Sequence, residues 1–427
     1  MKKINSLCLF MLFFFTYSYK VFAQDLSLNK SNSVNYNKEY LKKLIGEKRI
    51  VLIGENSHGD GGSMKVRTEL VKFLHEEMGF NLIVFESGLY QVQKTREQLI
   101  NSDINEGYES IRKSIYGIWS YSMECRPLFK YIIEGEKSNS LILAGNDCQL
   151  NSENAKYYLS DLEAYLNSKE DHWIKTESYK TFASITQKII DDKGDHSIKI
   201  TKALEKEFIN AIDSLISWIN IGEATLESSF WVRTLLNIRS FSPAEFHFNI
   251  LKVLFNGKFT FGRDSIMANN LVWLANKYKN EKIIVWAHTG HTLKKKSERK
   301  RNFKLQGQYI IDLFPEQVFI FHSTSSKGYA APPFYRPPLK IKEDRKKSYE
   351  AVLYENGGTI ISADSLFSLS QKKKTNQIRL INYKFKKISH PKNYFDALIY
   401  IPEMTPSTMI EGGWDEMRKK IKSKNKL

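Results

Sequence analysis

Four segments of the chain run through large aliphatic residues and then stop in residues that do chemistry. They are IVLIGENSHG (Ile50 to Gly59), LIVFESG (Leu82 to Gly88), LILAGNDCQ (Leu141 to Gln149) and IIVWAHTGH (Ile283 to His291). Their apolar runs do not alternate with polar residues, so each reads as a strand covered on both faces, the mark of a parallel sheet buried between helices. In open parallel sheets, ligands bind beyond the carboxyl ends of the strands. Glu55 and Glu86 stand just beyond two such ends, and His58, His288 and His291 lie close behind. Two carboxylates and three imidazoles therefore have one cleft in which to meet.

The connections fit this reading. After Glu55 a glycine-rich turn, Gly59 to Gly62, leads to Ser63, which is placed to cap a helix whose stripe is Met64, Leu70, Val71, Leu74 and Met78. Gly79 ends that helix, so residues 50–86 read as a strand–helix–strand unit with parallel strands and a right-handed crossover. From Asn151 to Phe255 the pattern is mostly helical, with apolar residues at three- and four-residue intervals over Ile198 to Ile221 and Phe230 to Ile238. The chain returns through Arg263 and Asp264, opening a helix with Ile266, Met267, Leu271, Leu274 and Tyr278, to the strand Ile283 to Trp286. Further strands are expected at Tyr309 to Leu313, Val318 to Phe321 and Ala397 to Ile401. The proline-rich Ala330 to Leu339 reads as a loop, and Lys340 to Lys387 gives little signal.

The expected fold class is therefore α/β: a central, mostly parallel sheet flanked by helices, with a large helical insert forming a lobe over the cleft. Residues 24–150 and 256–427 would form the core, and 151–255 the insert, acting as cleft wall or lid. Specificity would reside in that insert and the rim loops.

Lys2 and Lys3 precede an apolar run from Leu7 to Phe15, and Val21-Phe22-Ala23 offers a small-residue cleavage site, so residues 1–23 read as a signal peptide. The run is shorter than the roughly 20 residues a membrane-spanning helix needs, and no later stretch qualifies. The mature protein is expected to be exported, periplasmic or secreted, with no integral membrane segment. Cleavage removes Lys2, Lys3 and Lys20 and no acid, taking the formal net charge from +17 to +14. The basic runs, Lys294 to Arg301, Lys342 to Lys347, Lys372 to Lys374 and Arg418 to Lys426, fall mostly between apolar segments, so they read as solvated surface and not as a nucleic-acid footprint. Of three cysteines, Cys125 and Cys148 survive cleavage and read as buried free thiols, a disulfide being the alternative.

A buried imidazole can take a proton from water, and a carboxylate beside it can orient the ring and stabilise its protonated form. Glu55 and His58, three apart across a glycine-bounded turn, can enter one cavity. Glu86 is a second partner, and His288 arrives from a later strand. Arg67 either holds one of the glutamates or reaches a developing oxyanion. Asp264 reads as a helix cap or ion-pair partner. The chain has no G-x-S-x-G elbow, H-E-x-x-H, C-x-x-C or P-loop. Imidazoles and carboxylates also suit zinc, iron or manganese, so a metal held by His58, His288, His291 and the glutamates is an open alternative.

Gly54 to Gly59 (GENSHG), Arg67, Phe85 to Ser87 (FES), Arg263 to Asn270 (RDSIMANN) and Trp286 to His291 (WAHTGH), in that order, resemble the erythromycin esterase family. The likeness runs from about residue 48 to 325, is weak through the insert, and recurs at Phe395 to Thr405. It implies a hydrolase that opens macrolide lactones, or related esters, with an activated water, without a cofactor, a metal or a covalent intermediate, and with a link to macrolide resistance. By that likeness His58 matches the general base, Glu55 its acidic partner, Glu86 a second essential glutamate, Arg67 the arginine after the first motif, His288 and His291 the paired late histidines, and Arg263 with Asp264 a pair of open role. The expected site has His58, Glu55, Glu86 and His288 as catalytic and Arg67, His291 and Arg263 as substrate-binding residues. The partner expected is a small-molecule ester or lactone. A haem- or metal-binding protein of the same fold, without hydrolytic activity, is the second reading.

Overall fold

The computed structural model describes residues 37–169, 172–193, 197–247, 261–295, 304–330, 338–354 and 357–413. The expected leader, the basic tail, Lys296, Arg299 to Arg301 and residues 331–337 of the proline-rich segment lie outside them.

The strands are β1 (Ile50–Glu55), β2 (Leu82–Gly88), β3 (Ile142–Asp147), β4 (Ile283–His288), β5 (Val318–Ala330), β6 (Leu339–Lys340), β7 (Thr359–Ser362), β8 (Gln377–Ile381), β9 (Lys384–Lys387) and β10 (Ala397–Met404). One sheet runs β3-β2-β4-β1-β5-β10-β7, with β6 paired to β5. The pairs from β3 to β10 are parallel, while β7 on β10 and β6 on β5 are antiparallel. β8 and β9 form a separate two-stranded hairpin. The α/β class with a mostly parallel sheet is thus what the chain adopts. Two details differ from the sequence expectation: β4 lies between β1 and β2, and the described residues between β4 and β5 form helices and no strand.

That second difference concerns Tyr309 to Leu313, which belongs to the helix Gln306–Leu313. The Tyr-Ile-Ile run has strand-like composition, but β4 and β5 both lie parallel to β1, so the chain must cross over between them, and a helix is the usual crossover. Ile310 alone of the three is fully buried, as one helix face would have it. Ser63 is likewise not a cap. The helix Gly61–Met78 begins two residues earlier with Asp60 at the N-cap position, and Ser63 is buried inside its first turn. Gly79 ends it in the left-handed conformation at φ 70°.

Period-two alternation sorts the strand residues onto two covered faces. Val51, Ile53, Ile83, Phe85, Ile284 and Trp286 pack with the helices Lys38–Ile45, Gly61–Met78 and Arg126–Lys137. Ile50, Leu52, Leu82, Val84, Ile283 and Val285 pack with Phe261–Lys277, Gln306–Leu313 and Tyr349–Tyr354. A third cluster joins Tyr90 to the helices Tyr158–Lys169, Glu177–Asp192, Lys202–Ile221 and Leu226–Phe246, through Leu162, Phe182, Phe208, Leu215 and Trp231 among others. The segment read as an insert therefore has apolar contacts largely of its own.

Gly54 shows how tightly the carboxyl end of β1 is packed. A Cβ there would lie 2.4 Å from Thr292 Oγ1 and 2.5 Å from Thr289 Oγ1, so only glycine lets the short helix Thr289–Thr292 close over the strand. Among the described residues, no helix is long and apolar enough to cross a membrane.

Candidate active site

Four adjacent strands deliver a functional side chain at or near their carboxyl ends: Asp147 from β3, Glu86 from β2, His288 from β4 and Glu55 from β1. The register places Glu55 directly beside His288. The turn after β1 then brings His58 back toward Glu55.

Glu55 is wholly buried and receives three donors. His58 Nδ1 lies 2.9 Å from its Oε1, Trp119 Nε1 donates to the same oxygen at 2.9 Å, and Arg67 Nη1 donates to Oε2. Arg67 is fully buried as well. Its Nη2 donates to the carbonyls of Ile53 (3.0 Å) and Ala287 (3.4 Å), and its guanidinium lies 3.6 Å from the Trp286 ring centroid. Of the two sequence alternatives for Arg67, this placement corresponds to holding a glutamate. Trp119 and Arg67 are donors only, so Glu55 acts as acceptor, and His58 presents Nδ1–H to it. Nε2 of His58 has no hydrogen bond to a described residue, and about a quarter of the side chain (26%) is exposed.

The ring of His288 lies 4.6 Å from that of His58, centroid to centroid. Its Nδ1 accepts the Gly290 N–H (3.0 Å), so Nε2 carries the proton and donates to the Asn56 carbonyl (3.1 Å). Burial, with the neighbouring His58, lowers its pKa to about 3. Both nitrogens of His288 are therefore occupied by backbone, and the ring is neutral.

His291 is the opposite case. Its Nδ1 is 2.7 Å from Asp264 Oδ1, and its Nε2 is 3.2 Å from Glu86 Oε1. Burial alone would depress its pKa, but the two carboxylates outweigh it and raise the value to about 10. Glu86 also accepts the His288 backbone N–H (2.9 Å) and Arg263 Nη2 (3.1 Å). Burial would raise its carboxyl pKa, yet the His291 and Arg263 cations hold it well below the ordinary range. Arg263 grips Asp147 as well, through Nε at 3.0 Å and Nη2 at 2.5 Å, and the Tyr116 hydroxyl lies 2.5 Å from Asp147 Oδ2. Asp264 lies inside the first turn of the helix Phe261–Lys277, pairs with His291 and additionally accepts the Gln306 N–H (3.0 Å) at the start of the helix Gln306–Leu313.

All seven residues singled out in the sequence thus gather at one end of the sheet. His58 faces the Glu55–Arg67–Trp119 group, and His291 and Arg263 belong to a second group with Glu86, Asp147 and Asp264. Asp147, Tyr116 and Trp119 are additional. Asp147 closes LILAGNDCQ just as Glu86 closes LIVFESG, so the same strand-end rule points to it. Tyr116 and Trp119 come from a helical region with no local signal. Cys125 and Cys148 are buried free thiols. Among the described residues no three His, Cys, Asp or Glu side chains are arranged to hold a metal ion.

The family model for erythromycin esterase matches residues 75–404, most of the chain. The chain belongs to the erythromycin esterase family. Glu86, Arg263, His288 and His291 fall inside the match, whereas Glu55, His58 and Arg67 precede it. The chain is 28% identical over 313 residues to YbfO of Bacillus subtilis (strain 168), a protein whose name gives it as an inferred hydrolase; the alignment covers 68% of this chain and 67% of that one. It is 22% identical over 284 residues to the erythromycin esterase type II of Escherichia coli, covering 60% of this chain and 63% of the relative. Among solved structures, a mutant of the erythromycin esterase EreC in its open conformation shares the fold, with TM-score 0.65 at 17% identity, over 90% of this chain and 98% of that one. Family and relatives together support a hydrolase.

Proposed function

We propose that the chain hydrolyses a carboxylic ester, with macrolide lactones the leading substrate class and other lactones or esters the alternative, by general-base activation of water. The observation that carries this reading is the pairing of His58 Nδ1 with a carboxylate that Arg67 and Trp119 hold in place, leaving Nε2 without a partner among the described residues at the open end of the strands. A water bound at Nε2 gives up a proton as its oxygen attacks the carbonyl carbon, and Glu55 stabilises the resulting imidazolium. The carbonyl oxygen becomes an oxyanion, for which the His291 imidazolium and the Arg263 guanidinium are the nearby cations. Collapse breaks the carbon–oxygen ester bond, and His58 returns its proton to the departing alkoxide. The product is an acid plus an alcohol, or one opened hydroxy acid from a lactone, heavier than the lactone by one water.

In this reading Glu55 and Glu86 serve different ends: Glu55 orients the base, and Glu86 fixes His291 and Arg263. Arg67 holds Glu55 and does not meet substrate. His288, with both nitrogens committed, orients the site and is not a second base. We also infer export, from the leader-like residues 1–23, and independence of metal, from the general-base chemistry. The test is to offer purified protein a panel of macrolides, smaller lactones and simple esters, with and without a chelator, following mass. Chelator-insensitive addition of one water supports the reading. Chelator-sensitive turnover would overturn the metal-independent mechanism, and no turnover on any member would overturn the substrate class.

A further inference from the structure

Asn56 stands between the acid and the base, wholly buried, and its polar atoms join three separate parts of the fold. Its Nδ2 donates to the Ser323 carbonyl on β5 (3.2 Å) and to the Arg379 carbonyl on β8 (3.3 Å). Its Oδ1 accepts the Tyr383 N–H (2.7 Å), and its own carbonyl accepts the Asn382 N–H (2.8 Å) as well as His288 Nε2–H (3.1 Å). Asn382 and Tyr383 form the turn between β8 and β9. Both adopt left-handed backbone, φ 50° and 55°, the paired conformation of a tight hairpin turn. That conformation here aims two successive N–H groups at one residue.

The hairpin is itself anchored from behind. The buried Arg379 guanidinium donates to the Ser325 carbonyl (2.8 Å) and the Lys342 carbonyl (2.5 Å) and pairs with Asp344. His322 Nε2 donates to the Arg379 carbonyl (2.8 Å), and the Thr289 hydroxyl donates to His322 Nδ1 (2.8 Å). A two-stranded hairpin outside the main sheet is thus fixed to β5 on one side and grips the turn that carries His58 on the other.

We propose that the β8–β9 hairpin is a clamp that positions His58 and His288, acting through Asn56. This rests on the reading of His58 as the base. Asn56, Asn382 and Tyr383 are then positioning residues: none needs to touch substrate, but the angle at which His58 meets water depends on them.

The test uses the full chain carrying Asn56→Ala or, in case that variant does not fold, Asn56→Ser, which keeps a small polar side chain too short to reach the Ser323 and Arg379 carbonyls and the Tyr383 N–H together. Diethylpyrocarbonate labelling of each histidine, read by peptide mass, reports the loosening of His58 without reference to activity. The expected result is His58 labelling that is faster by about threefold or more as the turn opens locally, with His172 and His247 on the insert labelling at the parental rate. Where the parent turns over 4-nitrophenyl acetate, kcat falls about 10- to 100-fold with KM little changed. His58 labelling at the parental rate in either folded variant overturns the clamp. A parent inactive on the ester, with labelling as expected, counts against the hydrolase reading and leaves the clamp standing.

Discussion

His58 Nδ1 lies 2.9 Å from Glu55 Oε1, and that contact divides the imidazole into a held nitrogen and one that no described residue engages. The same carboxylate also neutralises Arg67, a cation with no access to solvent. One residue therefore serves both the chemistry and the stability of the site, and the two roles can be separated by mutation.

Glu55→Gln leaves Arg67 buried without a counter-charge, and breaking such a pair costs about 3–5 kcal/mol. The double variant Glu55→Gln with Arg67→Met removes both charges and is expected to recover most of that loss while remaining inactive. Urea unfolding of the single and double variants measures it. A double variant no more stable than Glu55→Gln would show that the pair is not the source of the cost.

Trp119→Phe keeps the aromatic ring but removes the Nε1–H that Glu55 accepts at 2.9 Å. A hydrogen bond to a charged group is worth about 1.5–3 kcal/mol, so unfolding free energy should drop by that order. On a turned-over ester, kcat should fall with KM retained, because the residue steadies the base and lies behind it. A KM effect alone would place Trp119 in substrate binding instead.

Burial raises the Asp60 carboxyl from 3.8 to about 8. Between those values the folded protein keeps a proton that the unfolded chain releases, so this residue's contribution is complete below about pH 4 and is lost as pH rises through 8. Asp60→Asn should therefore gain stability relative to the parent steadily from pH 4 to 8. Parallel stability profiles over that range would contradict the assignment.

The two late histidines should titrate at opposite extremes. His288, its Nδ1 accepting from Gly290 and its Nε2 donating to Asn56, stays neutral until about pH 3, whereas His291, between Glu86 and Asp264, stays charged until about pH 10. The sign for His291 follows: its stabilisation is whole below about pH 6.5 and is lost as pH rises toward 10. Ring-carbon NMR of histidine-labelled protein, assigned with single substitutions, reads both values. Titration of either ring between pH 5 and 8 would contradict these environments.

The strand ends were legible because a fully covered parallel strand must be apolar throughout, and a polar residue at its end is conspicuous. Glu55, Glu86, His288 and the βα turn with His58 were found on that ground, and Asp147 obeys the same rule. Sheet order was not legible, since nothing local to Val51 or Leu82 tells that β4 inserts between their strands. Trp119 and Tyr116 reach the site by tertiary packing from a helical stretch that carries no periodic signal of its role. The hairpin Gln377–Lys387 went unassigned because its short strands have little apolar pattern, and its function is delivered by backbone N–H groups, which any sequence possesses. Tyr309 to Leu313 shows the converse failure, in which composition favoured a strand and the crossover requirement of the sheet made a helix.

The most direct test of the central claim is incubation of the purified protein and its His58→Gln variant with erythromycin, following mass for the addition of one water. Hydration by the parent, lost by a factor of about 10² or more in a variant that is still folded, is the result expected of a general base. Hydration that persists undiminished in His58→Gln would contradict the account.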